Sequence, residues 1–306
     1  MAIHVASVDW SFTRRPMESS RTWHGLSRSI LVGAEQGSVH TELAVGALAS
    51  GGWLQRHFHS FEEALYVLAG ELLLEIDGHH HRLVAGDYGF IPLGAWHALG
   101  NTGTDEVRWL SVNTPLRLPP NAGRRDTFFA TSPFDLAAFA ARCERPPFGD
   151  PRLRHVGHYD GTPPQAEALA LDDAARGRRP AGRDTALVVY SGISVKMLVD
   201  RVFGAELMTM FTVDYEPGGA AQIHDHPFEE TYFFLDGEIE AELEGVTYTI
   251  RAGDVVFAGV GATHGFFNTG SGRVRWIETQ APQPPERHSY RWVDHWRRFE
   301  DDPDGS

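Results

Sequence analysis

Residues 51–71 read GGWLQRHFHSFEEALYVLAGE, and residues 218–238 read GGAAQIHDHPFEETYFFLDGE. An offset of 167 residues (Gly51 to Gly218) carries His57 to His224, His59 to His226, Glu63 to Glu230 and Gly70 to Gly237. The same offset carries Gly86-Asp87 to Gly253-Asp254, Gly94 to Gly261, His97 to His264, Asn101 to Asn268 and Arg108-Trp109 to Arg275-Trp276. No insertion breaks the register between Gly51 and Trp109, so the chain holds two copies of one domain. Its 306 residues suit two domains of ordinary size. The expected division is an N-terminal domain with a following helix over residues 1–145, then a connector, a C-terminal domain and a tail over residues 146–306.

Each copy reads as β structure. Short apolar runs are punctuated by Gly and Asp-Gly, and Asp77-Gly78 is a hairpin signal. Ile239, Ala241 and Leu243 alternate with Glu238, Glu240, Glu242 and Glu244, the mark of a strand with one buried and one wet face. Several such strands per copy predict an all-β fold with a small barrel or a double sheet in each copy. Between the copies, Ser132 as N-cap, Pro133 and Asp135 predict a helix running to Cys143 and stopped by Pro146-Pro147. A Pro- and Ala-rich connector follows, with a short helix expected around Gln165–Ala175. Tyr290, Val293 and Trp296 fall at helical spacing in the tail, and the last residues, DDPDGS, are expected to be disordered.

Composition narrows the function classes. Lys plus Arg number 27 against 41 Asp plus Glu, a net charge of −14 that repels nucleic-acid backbones. No run of apolar residues is long enough for a transmembrane helix, and the N-terminus lacks the order of a signal peptide. With a single cysteine, Cys143, no intramolecular disulfide can form, which fits a reducing compartment; a cytoplasmic location is expected. Cys143 falls in the predicted helix and is expected to be structural rather than nucleophilic. Histidine is the anomaly, with 16 residues and two spaced clusters.

His57, His59 and Glu63 share odd parity along a strand, so all three can face one side while Glu62 faces the other. His224, His226 and Glu230 repeat the arrangement, with Glu229 outward. A further histidine follows a Gly-containing turn in each copy, His97 and His264. Three neutral imidazoles and a carboxylate suit one divalent first-row ion per copy: iron, manganese, nickel, copper, cobalt or zinc. Phe61 and Phe228 have inward parity and can pack beside the metal or wall a substrate pocket. Tyr66, Tyr88, Tyr232, Trp96 and Trp109 can line or support the barrels. The triplet His79-His80-His81 is expected to be a solvated hairpin, since adjacent strand residues face opposite ways.

These motifs resemble those of the cupin family. Residues Gly51 to Gly70 carry the family's first motif in full, as do Gly218 to Gly237. Gly86, Pro92, Gly94, His97 and Asn101 carry its second; in the other copy Gly253, Gly261, His264 and Asn268 do, with Gly259 in place of the proline. The chain thus resembles a bicupin, which implies a double-sheet barrel around each metal. Similar bicupins include dioxygenases of the quercetin type. That resemblance implies a ferrous ion, with dioxygen and a small aromatic or enolisable molecule as partners and cleavage of a C–C bond. Other cupins are non-redox isomerases, hydrolases or decarboxylases, and some are binding or storage proteins that usually lose ligands. Eight intact ligands favour an enzyme. Tyr232, Phe233, Phe234, Phe266 and Phe267 surround the C-terminal cluster and favour it for substrate, with Phe61, Phe228, Tyr232 and Phe266 as pocket residues. Bicupin-like chains often pair through sheet edges, so a homo-oligomer is expected.

Overall fold

A computed structural model of the chain describes residues 2–14, 16–119, 122–148, 153, 155–161, 190–284 and 291–292. The expected connector helix at Gln165–Ala175 and the closing DDPDGS lie outside them. The chain divides into two compact units: residues 8–161 with 198–209, and residues 1–7 with 162–197 and 210–306. No helix among the described residues is long and apolar enough to cross a membrane.

The repeat extends further than the motifs. Strands begin at Trp23, Glu42, Glu62, Glu71, His79, Asp87, His97 and Val107, and again at Tyr190, Thr209, Glu229, Glu238, Val246, Asp254, His264 and Val274. Each pair keeps the 167-residue offset (Trp23 to Tyr190, Val107 to Val274). Each unit is a double-sheet jelly-roll barrel, and the fold is all-β as the alternating pattern predicts.

One long strand builds each barrel. In the first copy, Glu42–Leu48 pairs with Val107–Thr114, and Trp53–His57 pairs with His97–Gly100. The strand therefore serves both halves. Gly51 marks the change of direction: its φ of 74° is matched by 79° at Gly218, a backbone that L side chains rarely adopt. Asn101 satisfies the interrupted ladder there. Its Nδ2 donates to the carbonyls of Leu48, Ala49 and Asp105 at 2.9, 3.2 and 2.8 Å. Asn268 does the same for Tyr215, Glu216 and Gly272. Gly70 is required for a different reason, because a Cβ there would meet the Glu106 carbonyl at 2.7 Å. The Asp of the second motif closes a turn, Asp87 accepting from Val84 N–H and Asp254 from Arg251 N–H.

The cores differ in kind. Leu48, Leu65, Val67, Leu72, Leu74, Ile76 and Leu83 fill the first. Phe211, Tyr215, Tyr232, Phe234, Phe266 and Trp276 give the second an aromatic interior. Each such side chain, fully buried, stabilises its barrel by about 1.5–3 kcal/mol before entropy is counted.

Four local expectations need correction or extension. The inter-repeat helix is shorter than predicted, Leu136–Ala140, and Asp135 rather than Ser132 is its N-cap. Asp135 accepts the Ala138 N–H at 3.0 Å, while the Ser132 carbonyl is taken by the Gln55 side-chain amide. In the tail, Arg291–Trp292 is a strand on Thr209–Asp225 and not part of a helix, so pairing overrides the helical spacing there; Tyr290, Val293 and Trp296 lie outside the described residues. His81 is buried opposite Leu74 rather than solvated, and its pKa falls to about 4 through burial and then the charges of His79 and His80. Finally, Ile3–Ser7 pairs with Asp254–Ala258, and the Gly259 N–H extends this ladder by donating to the Ala2 carbonyl at 2.8 Å. A proline, the second-motif residue missing at 259, has no N–H to give.

Candidate metal centres

The strand pairings bring the sequence clusters together. His57 lies directly opposite His97, and His224 opposite His264. In the first copy, His59 Nε2 is 3.3 Å and His97 Nε2 4.0 Å from Glu63 Oε2. The His57 and His97 ring centroids are 3.9 Å apart. In the second, His226 Nε2 is 2.8 Å and His264 Nε2 3.0 Å from Glu230 Oε2. The ligand atoms of His59, Glu63 and His97 lie within 4.8 Å of one another, as do those of His224, His226 and His264.

Every imidazole is fixed from behind. Nδ1 of His57, His59 and His97 bonds the carbonyls of Gln55, Phe61 and Ala95 at 2.7, 2.6 and 3.0 Å. His224, His226 and His264 bond those of Gln222, Phe228 and Ala262 at 2.7, 2.9 and 2.9 Å. A carbonyl only accepts, so Nδ1 carries a proton and the Nε2 atoms point inward, where a neutral ring presents a lone pair. They converge on a carboxylate that also only accepts, an arrangement that needs a cation at its centre. The buried His97 Nε2, which has no hydrogen-bond partner, shows the same demand. The residues therefore fit a divalent metal ion.

Electrostatics agree. Burial, then His97, depresses His57 well below the ordinary histidine value. Burial, then His59, lowers His97 to about 4; burial, then His264, lowers His224 to about 3. Burial alone would raise Glu63, but His59, His97 and the Ser111 hydroxyl overcome it and hold the carboxylate ionised. Glu230 is held ionised in the same way by His226 and His264. His226 alone among these is raised, because Glu230 outweighs the effect of burial.

The surroundings set the two clusters apart. Phe61 stacks on His59 and Phe228 on His226, with ring centroids 3.8 and 3.9 Å apart. Phe61 also lines a cavity of about 360 Å³ above the first cluster, walled by Trp23, Leu26, Leu54, Leu99, Trp109 and Phe129. Tyr232 and Phe266 line one of about 440 Å³ above the second, with Ile193, Val195, Met197, Phe211 and Trp276. Phe228 is not among its lining residues, and Tyr66, Tyr88 and Trp96 line neither cavity. Glu62, on the opposite face as its parity predicts, accepts the N–H groups of Glu206 and Leu207 at 2.8 and 2.9 Å. The Cys143 thiol is buried and raised to about 11, which keeps it protonated.

Three functional side chains, Ser111, Gln280 and Glu278, escaped the motif reading, and Tyr232 was expected there only as a pocket residue. Ser111 donates to Glu63 Oε1 at 2.6 Å, and Gln280 to Glu230 Oε1 at 2.8 Å. Tyr232 donates its hydroxyl to Glu230 Oε2. Glu278 hydrogen-bonds Glu230, and burial followed by the Glu230 charge raises it far above the usual carboxylate range. The missed signal was a difference between the repeats: Glu278 stands where the first copy has Ser111, and Tyr232 where it has Leu65.

Two barrels of this topology, each with a histidine–carboxylate cluster gathered from the long strand and the strands that begin at Glu62 and His97 or at Glu229 and His264, define a double-domain metal-binding architecture. A family model described as "Cupin domain" matches residues 40–113 and again residues 211–279. Polyketide synthase CurC of Streptomyces cyaneus is 27% identical over 139 residues, covering 43% of this chain and 90% of that protein. Protein SchB of Streptomyces halstedii is 31% identical over 101 residues, covering 33% of this chain and 73% of that protein. Among solved structures, a point mutant of salicylate 1,2-dioxygenase from Pseudoaminobacter salicylatoxidans, in complex with gentisate, superposes with a TM-score of 0.66 at 15% identity, covering 92% of this chain and 82% of that one. A formate complex of oxalate decarboxylase from Lactobacillus farciminis gives 0.58 at 17% identity, covering 99% and 94%. The chain belongs to the cupin family, and it is a bicupin.

Proposed function

We propose that this bicupin is a metal-dependent dioxygenase that breaks a C–C bond of a small aromatic or enolisable molecule, with turnover at the C-terminal centre. The observation that carries the reading is the convergence of proton-free imidazole nitrogens and an ionised carboxylate at the floor of an apolar, aromatic-walled cavity. His57, His59, Glu63 and His97 would hold one ion, and His224, His226, Glu230 and His264 the other. Iron(II) is favoured; manganese, nickel, zinc, copper and cobalt suit the same donors. When bound, iron supplies open coordination positions for dioxygen chemistry. The chain's residues do the rest. Backbone carbonyls orient the imidazoles, Gln280 fixes Glu230, and Tyr232, Phe266 and Trp276 present flat apolar faces to a ring. The fold likeness to a salicylate 1,2-dioxygenase supports this reading. A small substrate and dioxygen are then the partners, and a homo-oligomer is part of the same reading.

The test is oxygen uptake during turnover of catechol, diketone and flavonol substrates, with labelled dioxygen traced into product. Incorporation of label, lost in His224→Ala, supports the proposal. Turnover without oxygen consumption overturns it, as does unchanged turnover in His224→Ala.

A second reading has its own observation. Glu278, Tyr215 and Tyr232 place a carboxyl group and two phenols in the C-terminal cavity, where the first copy has Ser111, Leu48 and Leu65. Groups that move protons suit a non-redox isomerase, hydrolase or decarboxylase. Turnover under strict anaerobiosis would select it.

A further inference from the structure

The two cavities differ most in charge. Arg28, Arg117, Arg124 and Arg125 line the N-terminal one, together with the carboxylates of Glu63 and Asp126. Among the described residues, no lysine or arginine lines the C-terminal one, which holds Glu230 and Glu278.

Part of the difference is built at three repeat positions; Arg124 aligns with Arg291, whose side chain lies outside the described residues. Arg28 aligns with Val195, Glu42 with Thr209 and Arg117 with Pro284. Arg28 Nη2 lies 2.5 Å from Glu42 Oε1, and Arg117 Nη1 reaches the same oxygen only at 4.0 Å. Asn113 Nδ2 also donates to that oxygen, at 3.2 Å. Two guanidinium groups thus share one carboxylate. Glu63 is committed to the histidine cluster, and Asp126 is occupied by the Leu118 N–H and the Thr127 hydroxyl. The four guanidinium groups of this wall face three carboxylates, Glu42, Glu63 and Asp126, so one positive charge is unmatched among the described residues. Arg117 lies with its guanidinium 5.4 Å from the Phe61 ring centroid, beside the stacked His59. A guanidinium offers parallel N–H donors that match a carboxylate. The remaining walls, Trp23, Leu54, Leu99 and Trp109, are apolar and suit a hydrocarbon or ring.

We propose that the N-terminal cavity is an anion-selective site for a small apolar or aromatic monocarboxylate seated on Arg117. This extends the functional reading above by assigning the N-terminal cavity its own ligand class, and its test requires no turnover.

The experiment is calorimetric titration of the full chain with benzoate and with benzamide, its neutral isostere. Benzoate binds at one site per chain, about tenfold or more tighter than benzamide. Arg117→Gln removes that preference, and Arg117→Lys restores part of it through charge alone. Arg117 is about a third exposed, so the variants should fold; a thermal melt confirms it. His224→Ala leaves benzoate binding unchanged. Equal binding of the two probes, an unaltered preference in folded Arg117→Gln, or loss of benzoate binding in His224→Ala would each overturn the proposal. Benzoate selectivity together with turnover that consumes no oxygen would overturn only the dioxygenase reading.

Discussion

Ser111 Oγ donates to Glu63 Oε1 at 2.6 Å and so fixes the carboxylate that the N-terminal histidines face. Partners that orient ligands typically change metal affinity by about 10–100-fold when removed. Ser111→Ala should therefore weaken the N-terminal centre about tenfold and leave the C-terminal centre unaltered. Competition with a chromophoric chelator, read as two dissociation steps, checks this.

Acid should loosen both centres. His97 at about 4 and His224 at about 3 lie below the unfolded histidine value, so the folded chain resists protons that the unfolded chain binds. For a depressed histidine, the stability is present above pH ~6.5 and declines as pH falls towards the folded pKa. Metal-free protein should lose stability between pH ~6.5 and 4, on the order of 3 kcal/mol for His97 alone. Denaturant midpoints measured across that range check it. A midpoint that does not move would contradict it.

Phe228 is buried and stacked on His226 at an interplanar angle of 5°. Phe228→Ala should cost about 3–5 kcal/mol, because a large cavity opens beside a ligand ring. Urea unfolding gives the stability change, and metal titration should show a weaker C-terminal centre.

The Gly259 N–H donates to the Ala2 carbonyl. Gly259→Pro removes the donor and leaves that carbonyl without it, at a cost of about 1–3 kcal/mol. Faster hydrogen exchange confined to residues 2–7 and 254–258 is the expected result.

Much of the architecture was legible because two copies repeat the same constraints. Gly51 and Gly218, Asn101 and Asn268, and the eight histidine and glutamate positions each carry a local geometric demand, and local demands show in spacing. Strand parity separated Glu63 from Glu62 without any coordinates. Long-range contacts were not legible. The pairing of Ile3–Ser7 with Asp254–Ala258 joins residues about 250 positions apart, and no periodicity announces it. Asp135 caps the helix with its side chain, while the Ser132 carbonyl accepts from Gln55, a contact that spacing cannot reveal. The acid and arginine side chains that distinguish the cavities lie on strands away from the motifs. They emerge only when Ser111 is compared with Glu278 and Arg28 with Val195.

The most direct test of the account is the metal content of untagged protein purified without added metal. Lone pairs that converge on ionised carboxylates in both copies predict about two equivalents per chain, iron foremost, falling to about one in His97→Ala or His264→Ala. A first-row metal content near zero, with no uptake on titration with ferrous, manganous or zinc ions, would contradict it.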